Sequence, residues 1–344
     1  MAEPGDEEAK KPDELELLVN RILPHIDAGL EQSDMSFGER MLFAATTIVD
    51  DLFLEIRSGD VVEDKASRTD YVTRPWFAIL YHYVQNWYRQ HYGDALDRNE
   101  GGHAYGFVLV RGLPVELVVP LTRGRVETPG ETAWLSFPKE VEDGEDPLAW
   151  LTKPPNVASL APGDKETLIE DTRTIATALR SIRVNSMGVE PPDDVADSLL
   201  DGVLAEFESA ARKAVRNEAA GRPGALWNIH LAVERTLKAF NQHKTGNFRQ
   251  IHNLYELFDD IASHGITADR KLLKKLRRDS DVIDNRYGLG DVPSVQEVFT
   301  AYKASLMLVS SIVGSFKRKF NVGGASFLLG KPPWTTLPPS SADR

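Results

Sequence analysis

The spacing of apolar residues constrains the fold of this chain more than any other feature. Between residues 164 and 313, apolar residues step mostly by three and four positions, which gathers them on one side of each of several helices. Two of these stripes are Leu168, Thr172, Ile175, Leu179 and Ile182, and Leu226, Ile229, Val233, Leu237 and Phe240. A helix with one apolar stripe buries it against another element. The sequence therefore predicts that the second half of the chain is mostly helical.

Two capping boxes and one aromatic segment predict further helices. Ser36 is followed by Glu39, and Ser294 by Glu297, at the spacing in which each side chain bonds the backbone of the other residue. The segment 75–92 begins with proline, which suits the first turn of a helix, and its aromatic residues recur at helical spacing. Its two neighbouring aromatic stripes favour a helix buried on most sides over a binding platform.

The segment 102–137 has a different pattern, which predicts a small antiparallel β insertion. Residues 105–110 and 115–121 are rich in β-formers and flank a turn, and residues 132–137 could add a third strand. Five carboxylates follow between residues 140 and 146. Because their spacing does not match a calcium loop, we expect this loop to be solvated.

These patterns together predict a mainly α fold with two domains. A proline-containing break near residue 190 separates an N-terminal helical domain, residues 14–190, which carries the β insertion, from a C-terminal helical bundle, residues 191–320. We expect the acidic residues 1–13 to be disordered and the proline-rich residues 330–344 to be mobile.

Charge is distributed unevenly along the chain. The whole sequence has 52 acidic and 40 basic residues, a net charge of −12. Residues 1–150 hold 29 acidic and 14 basic residues, a net charge of −15, whereas residues 212–344 hold 12 acidic and 21 basic residues, a net charge of +9. The basic end points to RNA or a nucleotide as a partner, and mutual attraction of the two halves is the alternative.

Composition excludes several kinds of chemistry. The chain has no cysteine, which excludes disulfides, thiolate metal sites and cysteine nucleophiles. It lacks a run of 18 apolar residues and an apolar signal core, so we expect a cytoplasmic protein without a membrane partner. No Walker loop, GxSxG, HExxH or dinucleotide-binding glycine motif is present, and we predict no cofactor and no metal.

Three short motifs in the C-terminal half resemble those of the HEPN family. Residues 232–240 resemble the Ala-x-Glu-Lys-x-Leu-Lys-Ala helix of that family. His252-Asn253-Leu254 resembles its His-Asp-Leu step, and Arg286-Tyr287 resembles the Arg-Tyr that precedes its last helix. The resemblance covers residues 192–316 and implies a HEPN-like helical bundle, associated with RNA or nucleotides, that forms a homodimer.

The resemblance implies one of three functions. RNase-active HEPN domains carry an Arg-x(4–6)-His motif, but Arg286 is followed at those distances by Asp291, Val292 and Pro293. The favoured reading is a non-catalytic module that binds RNA, a nucleotide or a partner protein, in a setting of bacterial defence or stress. The alternatives are a metal-independent RNase or toxin effector, with Arg286, Tyr287 and His252 as catalytic residues, and a structural protein that only dimerises.

Two sets of polar residues are candidate sites. A nucleotide needs cations for its phosphate and a flat group for its base, and the candidate residues are Glu234, Lys238, His252, Arg286 and Tyr287. An internal ion-pair network of Glu234, Lys238 and Arg286 is the favoured alternative. The densest basic run, residues 270–278, could bind nucleic-acid phosphates, or it could be the solvated face of an amphipathic helix. Its candidate residues are Lys271, Lys274, Lys275, Arg277 and Arg278.

Overall fold

The computed structural model of the chain describes residues 14–31, 33, 35–58, 61–63, 65, 67–93, 96, 102–286 and 289–332. The tail predicted at residues 1–13 lies outside this part, as does all but the start of the tail predicted at residues 330–344. The chain forms two compact units. Unit 1 contains residues 1–100, 127–133 and 329–344, and unit 2 contains residues 101–126 and 134–328.

The N-terminal part of unit 1 is built from helices and one short hairpin. Its helices are α1 (Glu14–Leu30), α2 (Phe37–Thr47), α3 (Arg68–Tyr71) and α4 (Pro75–Tyr92), and its antiparallel hairpin pairs β1 (Ile56–Ser58) with β2 (Val61–Glu63). Ser36 and Glu39 form the predicted capping box at the start of α2. Pro24 does not end the first helix, because α1 continues through this residue to Leu30.

The aromatic helix α4 forms the core of unit 1. It has the predicted bounds, and its buried side chains are Phe77, Ala78, Leu80, Tyr81, Val84, Trp87 and Tyr88. The favoured interpretation of the two aromatic stripes, a largely buried helix, is therefore confirmed. Asp27 of α1 is buried too, and it accepts hydrogen bonds from the hydroxyls of Tyr88, at 2.7 Å, and Tyr92. These bonds tie α1 to α4 on the far side of Pro24.

The predicted β hairpin is confirmed in unit 2. It pairs β3 (His103–Val110) with β4 (Leu113–Pro120) in antiparallel register. Only Arg111 and Gly112 separate the strands, and both have positive φ angles, of 53° and 77°, as a type I′ turn requires. A second sheet has the strand order β5 (Arg123–Thr128), β6 (Thr132–Ser136) and β7 (Ser326–Gly330), in which β6 is the predicted third strand.

The remaining helices of unit 2 pack together as a bundle. They are α5 (Pro162–Asn185), α6 (Asp194–Val215), α7 (Arg222–Thr245), α8 (Leu254–Ala262), α9 (Asp279–Arg286) and α10 (Val295–Gly314). This bundle includes α5, which the sequence assigned to the N-terminal domain. Helix α10 begins at the predicted capping box of Ser294 and Glu297, and it packs against α5 and α7. The β3–β4 hairpin shares this core, because Phe107 contacts Phe299 and Tyr302 of α10.

The fold is thus mainly α with small antiparallel sheets, as the sequence predicts. One local prediction near the C-terminal candidate sites is wrong. The basic run is not an α-helix, because residues Arg270–Lys275 form a short 3₁₀-helix. Helix α9 follows it and runs to Arg286, the first residue of the Arg286-Tyr287 motif. Asp279 and Asp281 in its first turn favour a helix here, since carboxylates stabilise a helix N-terminus.

Candidate functional site

The first candidate site is centred on Glu234 in helix α7. His230, Glu234 and Lys238 follow one another at steps of four, so they share one face of the helix. Lys238 Nζ donates a hydrogen bond of 2.7 Å to Glu234 Oε1. Both residues are buried, with Glu234 6% and Lys238 7% exposed. The predicted acid and base therefore meet as an ion pair inside the bundle.

His252 completes this arrangement from the segment that precedes α8. Its ring Nδ1 lies 3.0 Å from Glu234 Oε2, and its backbone carbonyl accepts a 3.0 Å hydrogen bond from His230 Nε2. The side chain of His252 is nevertheless 59% exposed. A neutral His252 that donates from Nδ1 to Glu234 has its Nε2 lone pair free for a proton. This geometry could orient a general base.

Burial keeps His230 neutral. Desolvation lowers the pKa of His230, and the nearby charges of Glu234 and Asp279 oppose this shift without cancelling it. Its Nδ1 atom is buried without a hydrogen-bond partner. His230 belongs to the cluster through its contacts, although the sequence did not identify it as a site residue. Its spacing of four from Glu234 was the signal that could have done so.

The structure brings together three of the five predicted ligand-binding residues. Glu234, Lys238 and His252 are in contact, whereas the side chain of Arg286 and the whole of Tyr287 lie outside the described part of the chain. Lys238 also lies over the ring of Phe248, with Nζ 5.7 Å from its centroid. The ammonium group is thus enclosed by an acid and an aromatic ring. These contacts fit an internal ion pair better than a phosphate site, because a buried paired charge is unavailable to a ligand.

The second candidate site is the basic segment, residues 270–278. Asp269 caps its 3₁₀-helix, and the buried side chain of Leu273 anchors the helix to the bundle. Arg270 makes two hydrogen bonds of 2.8 Å to Asp259 and lies over the ring of Tyr255. These contacts hold the N-terminal end of the segment in place.

The C-terminal end of the basic segment is fixed by Arg277. This residue donates 3.0 Å hydrogen bonds to Glu297 Oε1 and to the backbone carbonyl of Asp291. The other four predicted phosphate-binding residues are exposed, and none of them forms an ion pair within the described residues. These four free cations are Lys271, Lys274, Lys275 and Arg278.

Neither a metal site nor a membrane span emerges from the part of the chain that the structure describes. Its histidine, aspartate and glutamate residues form no group of three or more that could hold a metal ion. None of its helices combines the length and the apolar character needed to cross a membrane.

Comparisons of the chain with family models, with curated proteins and with solved structures found no match. The HEPN resemblance of residues 192–316 therefore stays a prediction that rests on the three motifs. The candidate sites therefore rest on their geometry alone. The first is a buried ion pair with an exposed histidine beside it, and the second is a fixed segment whose four exposed cations form no ion pair within the described part of the chain.

Proposed function

We propose that unit 2 is a non-catalytic module that binds RNA through the basic segment. The observation that carries this proposal is that one fixed segment has four exposed cations, none of which forms an ion pair among the residues that the structure describes. Phosphate groups bind such cations and release the counterions around the nucleic acid. Because the contacts are to phosphates, this binding is independent of sequence.

The internal contacts of the segment prepare it for this role. Arg270 forms an ion pair with Asp259, Arg277 forms one with Glu297, and the side chain of Leu273 is buried. The backbone between them is ordered before any ligand arrives, so binding does not carry the entropy loss of ordering it. A solvated helix face, the alternative from the sequence, has no need of two flanking ion pairs.

The test measures RNA affinity by fluorescence anisotropy at several salt concentrations. We expect the logarithm of the binding constant to fall with the logarithm of salt concentration at a slope of about −3, which is about −0.7 for each of four phosphates. The double variant Lys274→Glu/Lys275→Glu should bind much more weakly and with a shallower slope. A binding constant that does not change with salt concentration would overturn the proposal.

A matched control has the same change in net charge elsewhere on unit 2. Arg183 and Lys244 are exposed and form no ion pair among the described residues. Both residues lie near the C-terminal end of α10. Arg183 is close to Asn185, whose carbonyl accepts a hydrogen bond from Arg318, and Lys244 is next to His243, whose ring contacts Phe316. The basic segment contacts the start of α10 instead, about 30 Å away along a helix of this length. Arg183→Glu/Lys244→Glu should leave RNA affinity nearly unchanged.

The second candidate function is a metal-independent RNase, and the exposed ring of His252 beside Glu234 favours it. His252 would take the proton of a 2′-hydroxyl, whose oxygen attacks the adjacent phosphorus and displaces the 5′-oxygen, which is protonated by water. Arg286 and Tyr287 belong to this candidate as predicted stabilisers of the phosphate. Wild-type protein should then cleave single-stranded RNA in the presence of EDTA, and His252→Ala should abolish cleavage. RNA that stays intact with wild-type protein excludes this candidate.

The partner protein, the homodimer and the setting in bacterial defence or stress remain predictions of the resemblance. The same is true of the third function, a protein that only dimerises. Light scattering on the purified full-length chain tests the dimer directly.

A further inference from the structure

A pocket opens beside the basic segment, between it and the first turns of α10. Its volume is about 270 Å³. Its walls include Lys274, Lys275 and Arg277 from the segment, and Gln296 and Thr300 from α10. The apolar part of the lining comes from Leu226, Leu276 and Ala301. Lys274 and Lys275, two of the four exposed cations, therefore line a cavity that also has an apolar surface.

The polar groups of the pocket fall into two classes. Arg277 and Glu297 are bonded to each other, and Glu297 also accepts the backbone N–H of Ser294. Lys274, Lys275 and the amide of Gln296 have exposed side chains and make no hydrogen bond within the described residues. The two ammonium groups and the amide are therefore available to form hydrogen bonds with a ligand.

We propose that this pocket accepts one unstacked base of single-stranded RNA, with its phosphate on Lys274 and Lys275. The inference rests on the proposed RNA-binding function and names the form of RNA that the site selects. The base would lie on the apolar surface, and the Gln296 amide can donate to and accept from a base edge. The lysines line the same pocket, so base and phosphate are bound together.

The size of the pocket supports this assignment. Sites for drug-sized ligands start at about 300 Å³, so a volume of about 270 Å³ suits a single base with part of its sugar. A base in a duplex is stacked and paired, and it must be unstacked to enter such a pocket. Single-stranded RNA supplies an unpaired base without that penalty, whereas a duplex can contact only the lysines.

The first experiment compares a labelled single-stranded RNA with the duplex of the same sequence, by anisotropy on the full-length chain. We expect the single strand to bind about tenfold more tightly. Thr300→Trp, which fills the pocket and keeps both lysines, should remove this preference and leave duplex affinity unchanged. Thr300→Val keeps the size of the side chain and should retain the preference. Equal affinity of the wild type for the two forms, or a preference that survives Thr300→Trp, overturns the inference.

Two further measurements separate this inference from the RNA-binding proposal. Gln296→Trp fills the same pocket from an exposed position, so it replaces Thr300→Trp if that half-buried substitution prevents folding. Titration of the wild type with AMP and with ribose 5-phosphate tests the base directly, since both carry the phosphate and only AMP carries the base. AMP should bind about tenfold more tightly. Equal binding overturns the base pocket, while loss of RNA affinity in Lys274→Glu/Lys275→Glu still supports the phosphate contacts.

Discussion

Arg180 and Glu145 form a bidentate ion pair in the interior of unit 2. Two guanidinium nitrogens of Arg180 donate hydrogen bonds of 2.7 and 2.8 Å to the two carboxylate oxygens of Glu145. Arg180 is fully buried, and its guanidinium lies over the ring of Trp150. Its other bonds reach the backbone carbonyls of Pro120 and Glu140. The end of β4 and the loop after β6 are thereby fastened to helix α5.

Removal of the Glu145 charge should destabilise unit 2 strongly. Glu145→Gln leaves the buried guanidinium of Arg180 without its counterion, and breaking a buried pair in this way costs about 3 to 5 kcal/mol. The control is Glu142→Gln in the same loop, because Glu142 pairs with Arg123 where both side chains are about 40% exposed. That change should cost less than about 1 kcal/mol. Urea unfolding followed by circular dichroism measures both, and equal losses would contradict a special role for the buried pair.

The sequence predicted the elements whose signals lie within a few neighbouring residues. The bounds of α4, the caps at Ser36 and Ser294, and the β3–β4 hairpin all follow from spacing or from turn residues. Arg180 could not be predicted in this way. Its partner lies 35 positions away in a loop that the sequence predicts to be solvated. The side chain of Glu145 is in fact only 10% exposed where it pairs with Arg180. Only tertiary packing decides which carboxylate of an acidic loop is buried.

The candidate site shows the same limit. The Glu234–Lys238 pair was predictable from its spacing of four, and His252 was identified by the HEPN-like motif. The sequence could not predict which cations of the basic segment are paired. Arg277 pairs with Glu297, which lies twenty positions away in the sequence and is brought close only by the fold. The pocket beside it likewise arises only when the segment, α7 and α10 pack together.

A second prediction concerns the close packing of the hairpin on the bundle. A Cβ atom at Gly106 of β3 would lie 3.1 Å from a methyl carbon of Ile175 and 3.2 Å from the hydroxyl of Tyr302. Gly106→Ala should therefore destabilise the protein by about 1 to 3 kcal/mol, the usual effect of overpacking. Gly124 in β5 has nothing within 4 Å of the same position, so Gly124→Ala is the matched control. A lowered melting temperature for both variants would show that the space around Gly106 is not the cause.

A third prediction links stability to pH through His230. Burial lowers the pKa of His230 in the folded protein, so between that value and the unfolded value of about 6.5 the unfolded chain binds more protons. The contribution of His230 to stability is present above pH 6.5 and is lost as the pH falls below it. The pKa of His243 is lowered by burial too, so it adds to this loss. Urea midpoints at pH 8 and pH 5.5 should differ less in His230→Asn than in the wild type, and an unchanged difference would contradict the assignment.

The last prediction decides whether Glu234 serves the fold or a ligand. Glu234→Gln leaves the ammonium group of Lys238, which is 7% exposed, without a counterion, and should cost about 3 to 5 kcal/mol. Removal of both charges in Glu234→Gln/Lys238→Met should recover much of this loss, because the buried charge that made the single variant unstable is gone. His252→Ala should cost less than about 1 kcal/mol, since this ring is mostly exposed.

The double variant gives each outcome a distinct meaning. A double variant that regains stability and binds RNA like the wild type shows that the pair is an internal structural element, as its burial and its contact with Phe248 indicate. A double variant that regains stability but loses RNA affinity shows instead that Glu234 or Lys238 acts on the ligand. In that case the Glu234–His252 pair becomes the place to look for RNA cleavage, because stability no longer accounts for the loss.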